Sequence, residues 1–247
     1  MVRPEWPFME KKFKELERKR EREVVFVGNM CDLFHEKVPD DFISRVFSEM
    51  FNQPRHTFLL LTKRAEHMRD FVNDYLPEAG YDMRRDFPHV WLGVTAENQQ
   101  RANERIPVLL EADAENHWAS LEPLLSPIDL TTLPCTEKLD GEGADYLDAL
   151  RGSTYWPGGE HGANVNYLKW IAVGGENGAK ARRMDPAWPR QLRDDCKRAK
   201  STVFYFKGWG KYYMGIEPYH KNTTEVEYRG LDGHFYNDRP FITKGTV

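Results

Sequence analysis

Short apolar runs followed at once by polar residues recur along this chain. The first, residues 24–27, has four apolar residues, three of them β-branched, and Gly28 ends it. A run of this kind predicts a buried strand, and the polar residues Asn29 and Asp32 come soon after it. The same pattern predicts five further strands at residues 57–61, 90–93, 117–121, 170–173 and 202–206.

Apolar residues at helical spacing occupy most of the intervals between the predicted strands. Asp40 and Asp41 offer N-caps for the first such helix, and Asp185, with Pro186 just inside, opens the last. Pro107 predicts a kink or a restart within its helix. The apolar stripes are Ile43, Val46, Phe47, Met50 and Phe51; Ala65, Met68, Val72, Tyr75 and Leu76; Ala102, Ile106, Leu109 and Leu110; and Trp188, Leu192, Cys196 and Ala199.

The alternation of strands and helices predicts parallel strands joined by right-handed crossovers. An open doubly wound sheet gathers its ligand groups at one switch point, whereas a barrel gathers them from the ends of many strands. Here nearly every predicted strand ends in reactive polar groups. The sequence therefore predicts an α/β fold, a parallel (β/α) barrel or partial barrel of about six strands.

Three segments depart from this alternation. The charge-dense residues 1–23 predict a short N-terminal surface helix. Residues 131–166 predict an insertion, with a helix near residues 144–150. Residues 211–247 predict a C-terminal extension that contains a β-hairpin around Leu231-Asp232-Gly233. We expect the whole chain to form a single α/β barrel-like domain.

The amino-acid composition adds no new element to this prediction, but it excludes several classes of protein. The formal net charge is −4, so no overall basic field indicates non-specific nucleic-acid binding. No apolar run approaches the ~20 residues of a membrane span, and no secretory signal pattern is recognised at the start. Cys31, Cys135 and Cys196 are far apart and form no C-x-x-C pair, so a reducing cytoplasm is the expected compartment.

One carboxylate and two lysines at strand ends are the candidate catalytic residues, namely Glu122, Lys63 and Lys207. Glu122 follows an apolar run and precedes the rigid Pro123, which suits acid–base chemistry or the binding of an amine. A salt bridge from Glu122 to either lysine inside the barrel mouth is an equal alternative. Lys63 and Arg64 begin a helix, where positive charge opposes the helix dipole, so an anionic ligand or a carboxylate is expected nearby.

A strand that runs into the glycine-rich turn Gly174-Gly175-Glu176 is the second candidate site. Glycines let a backbone approach a ligand, and exposed N–H groups suit an anion. A tight turn without a ligand is the alternative. Trp209 is a candidate for stacking on a planar ring, and core packing is its favoured alternative. The complete ligand-binding set is Asn29, Asp32, Arg64, Thr95, Glu97, Gly174, Gly175, Glu176, Arg182, Arg183 and Trp209.

These strand-end motifs together resemble a family of phage-borne and bacterial proteins of unassigned activity, which itself looks related to radical S-adenosylmethionine (SAM) enzymes. The resemblance covers about residues 24–210, in family order. It implies a partial (β/α) barrel with a SAM site at the strand ends. The matching runs are Phe26-Val27-Gly28-Asn29-Met30-Cys31-Asp32-Leu33-Phe34-His35, Leu61-Thr62-Lys63-Arg64, Trp91-Leu92-Gly93-Val94-Thr95, Ser120-Leu121-Glu122-Pro123-Leu124, Val173-Gly174-Gly175-Glu176 and Phe206-Lys207-Gly208-Trp209-Gly210.

One departure from the family pattern concerns iron. Family members carry three clustered cysteines near their start that resemble the ligands of a [4Fe–4S] cluster, and that segment is missing from this sequence. Cluster ligation needs nearby thiolates, so no iron–sulfur cluster is expected from this chain alone, and a preceding segment or a partner chain would carry it. No other metal site is predicted, since Asp32, His35 and Glu36 are better explained as a capped loop.

The leading hypothesis is a radical-SAM-like barrel without its cluster loop, which binds a SAM-like, nucleotide-like or other anionic ligand at the strand ends. In it Glu176 or Glu122 holds an ammonium group, and the neighbouring basic residues face phosphate or carboxylate. The first alternative is a non-catalytic protein that binds nucleic acid or a host protein at the same mouth. The second is a cofactor-free lyase or hydrolase that uses Glu122 with Lys207. No membrane partner is expected.

Overall fold

The computed structural model of the chain describes residues 10–28, 31–141, 143–159, 161–213, 217–218, 231 and 236. The strands, in chain order, are β1 (Val24–Val27), β2 (Thr57–Leu60), β3 (Val90–Thr95), β4 (Asn116–Leu121), β5 (Leu133–Pro134), β6 (Tyr146–Asp148), β7 (Ser153–Tyr155), β8 (His161–Asn164), β9 (Leu168–Gly174), β10 (Val203–Gly208), β11 (Tyr212–Tyr213) and β12 (Glu217–Pro218). Five of the predicted strands correspond to β2, β3, β4, β9 and β10, and the first corresponds to β1.

Six parallel strands form the main sheet, in the order β1-β2-β3-β4-β9-β10. Each strand lies beside the next main-sheet strand in the chain, so the sheet advances in one direction and curls into half of a barrel. Carboxyl ends of parallel strands meet at one edge, here the rim of the half-barrel. The predicted α/β fold with a partial parallel barrel is confirmed.

Helices occupy most of the intervals between the main strands. They are α1 (Glu10–Glu17), α2 (Asp40–Phe51), α3 (Ala65–Asp70), which continues through a π-helical turn (Phe71–Tyr75) into α4 (Leu76–Glu78), α5 (Met83–Asp86), α6 (Gln99–Leu110), α7 (Glu137–Asp140) and α8 (Ala187–Ala199). The predicted helix of the first 23 residues corresponds to α1, and the stripes predicted after β1, β2, β3 and β9 lie on helices.

The predicted restart at Pro107 is wrong, because α6 runs through that residue as one helix. Its N-terminus is fixed by the Asn98 side chain, which accepts a hydrogen bond from the Arg101 backbone N–H. Ile106 and Leu109, on either side of the proline, are both fully buried. Packing on both sides of Pro107 therefore holds the two halves together despite the one hydrogen bond that proline removes.

The two faces of the main sheet belong to different apolar clusters. On the outer face, Leu60, Leu92 and Val173 are buried in the large core that the helices cover. On the inner face, Trp118 and other large side chains form a separate cluster that includes no helix residue from the described ranges. Side chains alternate between faces along a strand, so β2, β3, β4 and β9 each contribute to both clusters. The inner cluster comprises Leu59, Trp91, Trp118, Trp170 and Ala172.

The indole of Trp118 lies across the backbone of Gly93 on the neighbouring strand. Its Nε1–H donates a 3.1 Å hydrogen bond to the Leu60 carbonyl, one strand further on. A β-carbon at Gly93 would overlap the indole ring, so only glycine leaves room for this contact. The ring also stacks on Trp170, with centroids 4.8 Å apart and planes 24° from parallel. One side chain thus joins β2, β3, β4 and β9.

The predicted insertion contains a four-stranded antiparallel sheet, in the order β5-β6-β7-β8. The helix predicted near residues 144–150 is wrong, because β6 occupies this position. Leu147 pairs with Leu133 on one side and Thr154 on the other, and all three are fully buried. Asp148 then ends the strand by accepting hydrogen bonds from the next turn. Non-local strand pairing therefore decides the structure of this segment.

The predicted C-terminal hairpin lies outside the described residues, apart from Leu231 and Tyr236. Leu231 is fully buried, and the Tyr236 carbonyl accepts a 2.9 Å hydrogen bond from the Phe206 backbone N–H. The strands β11 and β12 form a short antiparallel pair that comes earlier in the same extension. Across the described ranges, none of the helices combines the length and apolar character needed to span a lipid bilayer.

We predict that Gly93→Ala lowers the free energy of unfolding by about 2–4 kcal/mol, because overpacking displaces Trp118 and breaks its hydrogen bond. Urea denaturation followed by tryptophan fluorescence measures the change. Gly158→Ala is the matched control, since a β-carbon at Gly158 meets open space, and it should shift the value by less than about 0.5 kcal/mol. Equal stability of the two variants would contradict the role assigned to Gly93.

Candidate functional site

A cavity of about 860 Å³ lies on the inner face of the half-barrel and opens at the rim. Its floor is aromatic and consists of Phe26, Trp118, Trp170 and Tyr205. Phe26 meets Trp118 edge to face with ring centroids 5.8 Å apart, and Tyr205 lies 6.0 Å from Trp170. The floor thus offers flat apolar surfaces of the kind on which a planar ligand packs.

The upper layer of the cavity is polar and charged. Along β4 and the residues that follow, the cavity is lined first by Trp118 in the floor and then by Ser120 and Glu122 above it. Along β10 it is lined by Tyr205 in the floor and by Lys207 above it. Every second residue of a strand points to the same face, so each strand contributes an apolar side chain below and a polar one above. The change of polarity occurs at the carboxyl ends of the strands.

Ion pairs line the rim, and two of them involve lysines. The Lys207 ammonium lies 2.8 Å from a Glu122 oxygen, and the Lys63 ammonium lies 3.4 Å from a Glu97 oxygen. The second oxygen of Glu97 is 3.3 Å from the Arg105 guanidinium, which also donates to the Thr95 carbonyl. The salt-bridge alternative considered for Glu122 is therefore present, with Lys207 as its partner.

The carboxylates and lysines of these pairs differ in exposure. The Glu97 and Glu122 side chains are 17% and 22% exposed, whereas those of Lys63 and Lys207 are 56% and 57% exposed. Lysine ammonium groups on flexible stems move at small cost. The recessed carboxylates are thus fixed acceptors in the cavity wall, and the lysines are mobile cations at its entrance.

Asp32 joins the loop after β1 to the loop after β2. Its carboxylate accepts hydrogen bonds from the Thr62 hydroxyl (2.6 Å), the Lys63 and Phe34 backbone N–H groups (3.1 Å each) and the Arg64 guanidinium (2.8 Å). Burial acts to raise the pKa of Asp32, but these hydrogen bonds outweigh it and hold the pKa below its ordinary value. Asp32 therefore positions Lys63 and Arg64 at the rim.

The glycines after β9 pack against a second loop. The Gly175 N–H donates to the Gly208 carbonyl at 3.0 Å, and a β-carbon at Gly175 would overlap the Trp209 carbonyl. Gly210 has a φ of +75°, and a β-carbon at this residue would overlap the backbone of Gly175 and Glu176. The tight-turn alternative therefore describes Gly175, because the space of its missing side chain is filled by the chain itself.

Glu176 is engaged by Arg182. The guanidinium donates two hydrogen bonds, of 2.9 Å and 2.7 Å, to its carboxylate, and the Arg182 backbone N–H donates a third of 2.7 Å. These bonds lower the pKa of Glu176 to about 2. The cavity outlined by the described residues does not include Glu176. The geometry thus offers Glu122 rather than Glu176 to an ammonium group in the cavity.

Trp209 is 2% exposed and packs on Phe206 with ring centroids 5.0 Å apart. The structure places Trp209 in the core, as the alternative favoured from the sequence expects, and the cavity lining does not include it. Arg183 lies 5.3 Å above the ring of Tyr212. Together with Arg182 and Glu176, these residues form a loop cluster beside the cavity.

The structure brings about half of the predicted site residues into one cavity. Gly174 lies directly beneath the Glu122–Lys207 pair, and Asn29 lies outside the described residues. The inner-face residues Trp118 and Trp170 were missed, although period-two alternation upstream of the strand-end groups would have found them. Among the described residues, no group of three or more His, Cys, Asp or Glu side chains is placed to hold a metal ion. The predicted residues that line the cavity are Asp32, Lys63, Arg64, Thr95, Glu97, Glu122 and Lys207.

We predict that the Glu176 carboxyl group titrates near pH 2 and that Arg182→Gln moves its pKa back towards the ordinary value of 4.5. Because the folded-state pKa is lowered, the stabilisation from this pair is present above pH 4.5 and is lost as the pH falls towards 2. Carboxyl-carbon NMR titration measures the shift, with Arg183→Gln as the control that leaves it unchanged. A wild-type pKa near 4.5 would contradict the pairing.

In a comparison with family models, residues 2–240 match a family described as "Protein of unknown function (DUF5131)". Comparisons with curated proteins and with solved structures found no match. The matched range contains all six strands of the half-barrel and every residue of its cavity. The chain belongs to the DUF5131 family.

Proposed function

We propose that the half-barrel cavity binds a small ligand that has a flat heterocyclic ring and charged groups of both signs, as a SAM-like or nucleotide-like molecule does. The supporting observation is the two-layer cavity, with aromatic rings below and paired charges above. Its volume of about 860 Å³ lies within the usual ~300–1,000 Å³ of small-molecule sites.

The aromatic floor favours a planar ring. Trp118 and Trp170 are held by stacking on one another and by the Trp118 hydrogen bond to Leu60. Their positions are therefore set before a ligand arrives, which reduces the entropy lost on binding. Stacking of a base on an aromatic side chain contributes roughly 1–3 kcal/mol. Phe26 is exposed and Tyr205 is half-buried, so both rings are open to a ligand at the two sides of the floor.

The rim favours a ligand with both charges. A ligand ammonium group can displace the mobile ammonium of Lys207 and bind the recessed carboxylate of Glu122. The released lysine can then pair with a carboxylate or phosphate of the ligand, and Lys63 and Arg64, although paired with Glu97 and Asp32, keep further N–H donors for it. No charge is left unpaired by this exchange, so its desolvation cost stays small. In this proposal Glu122 and Glu97 replace Glu176 as partners of the ammonium, and the floor replaces Trp209 under the ring.

The proposal concerns binding, because the cysteines do not fit an iron–sulfur cluster. Cys31 is exposed and lines the cavity. Burial raises the pKa of the Cys135 thiol to about 11 and that of Cys196 to about 12, whereas cluster ligands are thiolates. These two cysteines lie outside the cavity lining. The kinship with radical-SAM enzymes is part of this proposal and rests on the strand-end motifs; a cluster would need thiolates from another segment or chain.

We predict that Lys207→Gln weakens binding of S-adenosylhomocysteine roughly tenfold. A charge-assisted hydrogen bond contributes about 1.5–3 kcal/mol, and ~1.4 kcal/mol corresponds to a factor of ten. Isothermal titration calorimetry measures the affinity. Lys169→Gln is the matched control, because Lys169 also pairs with a glutamate, Glu115 at 2.5 Å, but at the opposite end of the sheet. It should leave the affinity unchanged.

Two outcomes would overturn this assignment. Equal weakening by Lys207→Gln and Lys169→Gln would show that the effect is not local to the rim. No heat with S-adenosylhomocysteine, together with steeply salt-dependent binding of single-stranded DNA, would favour the nucleic-acid alternative. That alternative has less support here, since Arg182 is already paired with Glu176 and Arg183 lies on Tyr212.

We predict that Tyr205→Ala weakens binding of both adenosine and S-adenosylhomocysteine by about 5- to 100-fold, because it removes one wall of the ring site. Lys207→Gln should instead leave adenosine almost unaffected, since adenosine carries no charge for the rim. Calorimetry with the two ligands on the two variants therefore separates the floor from the rim. If Tyr205→Ala had no effect on either ligand, the ring would not lie on this floor.

A further inference from the structure

A second cavity, of about 480 Å³, lies between the antiparallel sheet β5–β8 and helix α8. It shares no lining residue with the half-barrel cavity. Two arginine–aspartate pairs contribute to its wall, one from the end of β6 and the turn after it, and one from the last turns of α8. The paired residues are Asp148 with Arg151 and Asp195 with Arg198.

The first pair is rigid because the backbone supports it. Asp148 is buried, and one of its oxygens accepts hydrogen bonds from the backbone N–H groups of Leu150 (3.0 Å) and Arg151 (3.1 Å). The other oxygen accepts from the Arg151 guanidinium at 2.5 Å. The Arg151 side chain is itself exposed and keeps further N–H donors beyond this bond.

The second pair repeats this arrangement on the helix. Asp195 is buried, and the exposed Arg198, one helical turn later, donates to its carboxylate. Each pair thus places a guanidinium, which only donates hydrogen bonds, beside a carboxylate, which only accepts them. Both members of both pairs line the cavity.

The balance of charge identifies the class of ligand. Two arginines and two aspartates give this part of the wall no net formal charge, so an anion would meet two carboxylates and a cation two guanidinium groups. A hydroxyl group accepts and donates at once. Of two neighbouring hydroxyl groups on a ligand, one can therefore accept a hydrogen bond from the arginine of a pair while the other donates a hydrogen bond to the aspartate of the same pair. We propose that this second cavity binds a hydroxyl-rich ligand, namely a sugar.

Other lining groups suit the same ligand. The Ser153 hydroxyl and the His161 ring line the cavity and make no side-chain hydrogen bond to any residue in the described ranges. The ring of Tyr155 is fixed by stacking on Tyr146 at 5.4 Å and by the 2.6 Å bond from its hydroxyl to the Thr131 carbonyl. An immobile aromatic ring in the wall offers an apolar surface to the C–H face of a sugar.

The test is titration of the isotope-labelled protein with D-glucose, D-galactose and D-ribose, followed through the backbone amide signals of Ser153 and Gly159. We expect at least one sugar to shift these signals with a dissociation constant on the order of 1–10 mM. Arg151→Gln should weaken this binding about tenfold and Ser153→Ala a few-fold. In both variants the fold is preserved, because Asp148 keeps two backbone donors and Ser153 loses no described partner.

Matched controls separate this site from others. Arg101→Gln removes an arginine that also pairs with an acid three residues away, Glu104 at 2.5 Å, but lines neither cavity; it should not change the affinity. Lys207→Gln, at the rim of the half-barrel, should not change it either. Absence of shifts with all three sugars, shifts insensitive to Arg151→Gln, or shifts caused instead by inorganic phosphate or Mg²⁺ would each overturn the proposal.

Discussion

The contact between the Trp118 indole and the backbone of Gly93 is the constraint on which the inner face depends. In the part of the chain that the structure describes, no helix side chain belongs to the cluster on the concave face, so the apolar groups there must bury one another. Trp118 does so by lying flat across β3, where its N–H reaches the Leu60 carbonyl and its ring meets Trp170. The result is a rigid floor in a region where a full barrel would be filled with side chains.

Much of the fold was predictable because its signals are local. Apolar alternation and helical spacing are properties of short windows, and the six strands and the principal helices between them follow from them. The segment around Leu147 was mispredicted as a helix because Leu147 and Leu150 are three residues apart, as two residues on one face of a helix are. The same spacing occurs when a strand residue is followed by a turn, which is the case here. Pairing of Leu147 with Leu133 and Thr154 makes this segment a strand, and neither partner lies within a short sequence window around Leu147.

The rim of the candidate site was predictable for a topological reason. In a parallel sheet the residues after each strand meet at one edge, so Glu97, Glu122 and Lys207 converge without any knowledge of their contacts. The loop residues were not predictable in this way. Glu176 pairs with Arg182, six residues later, in a turn whose glycine backbone packs against residues 208–210, and that packing joins segments more than thirty residues apart.

The separation of the outer and inner apolar clusters has a consequence for how the sequence of this protein can evolve. Along each strand, one set of alternate residues anchors the helices and the other set shapes the cavity above its floor. Substitutions above the floor, at Ser120, Glu122 or Lys207, leave the helix-covered core and the Gly93–Trp118 contact intact, so they cost little stability while altering the shape and charge offered to a ligand. Ligand preference can therefore diverge among relatives at the strand ends, while the floor and the scaffold that carry it stay constant.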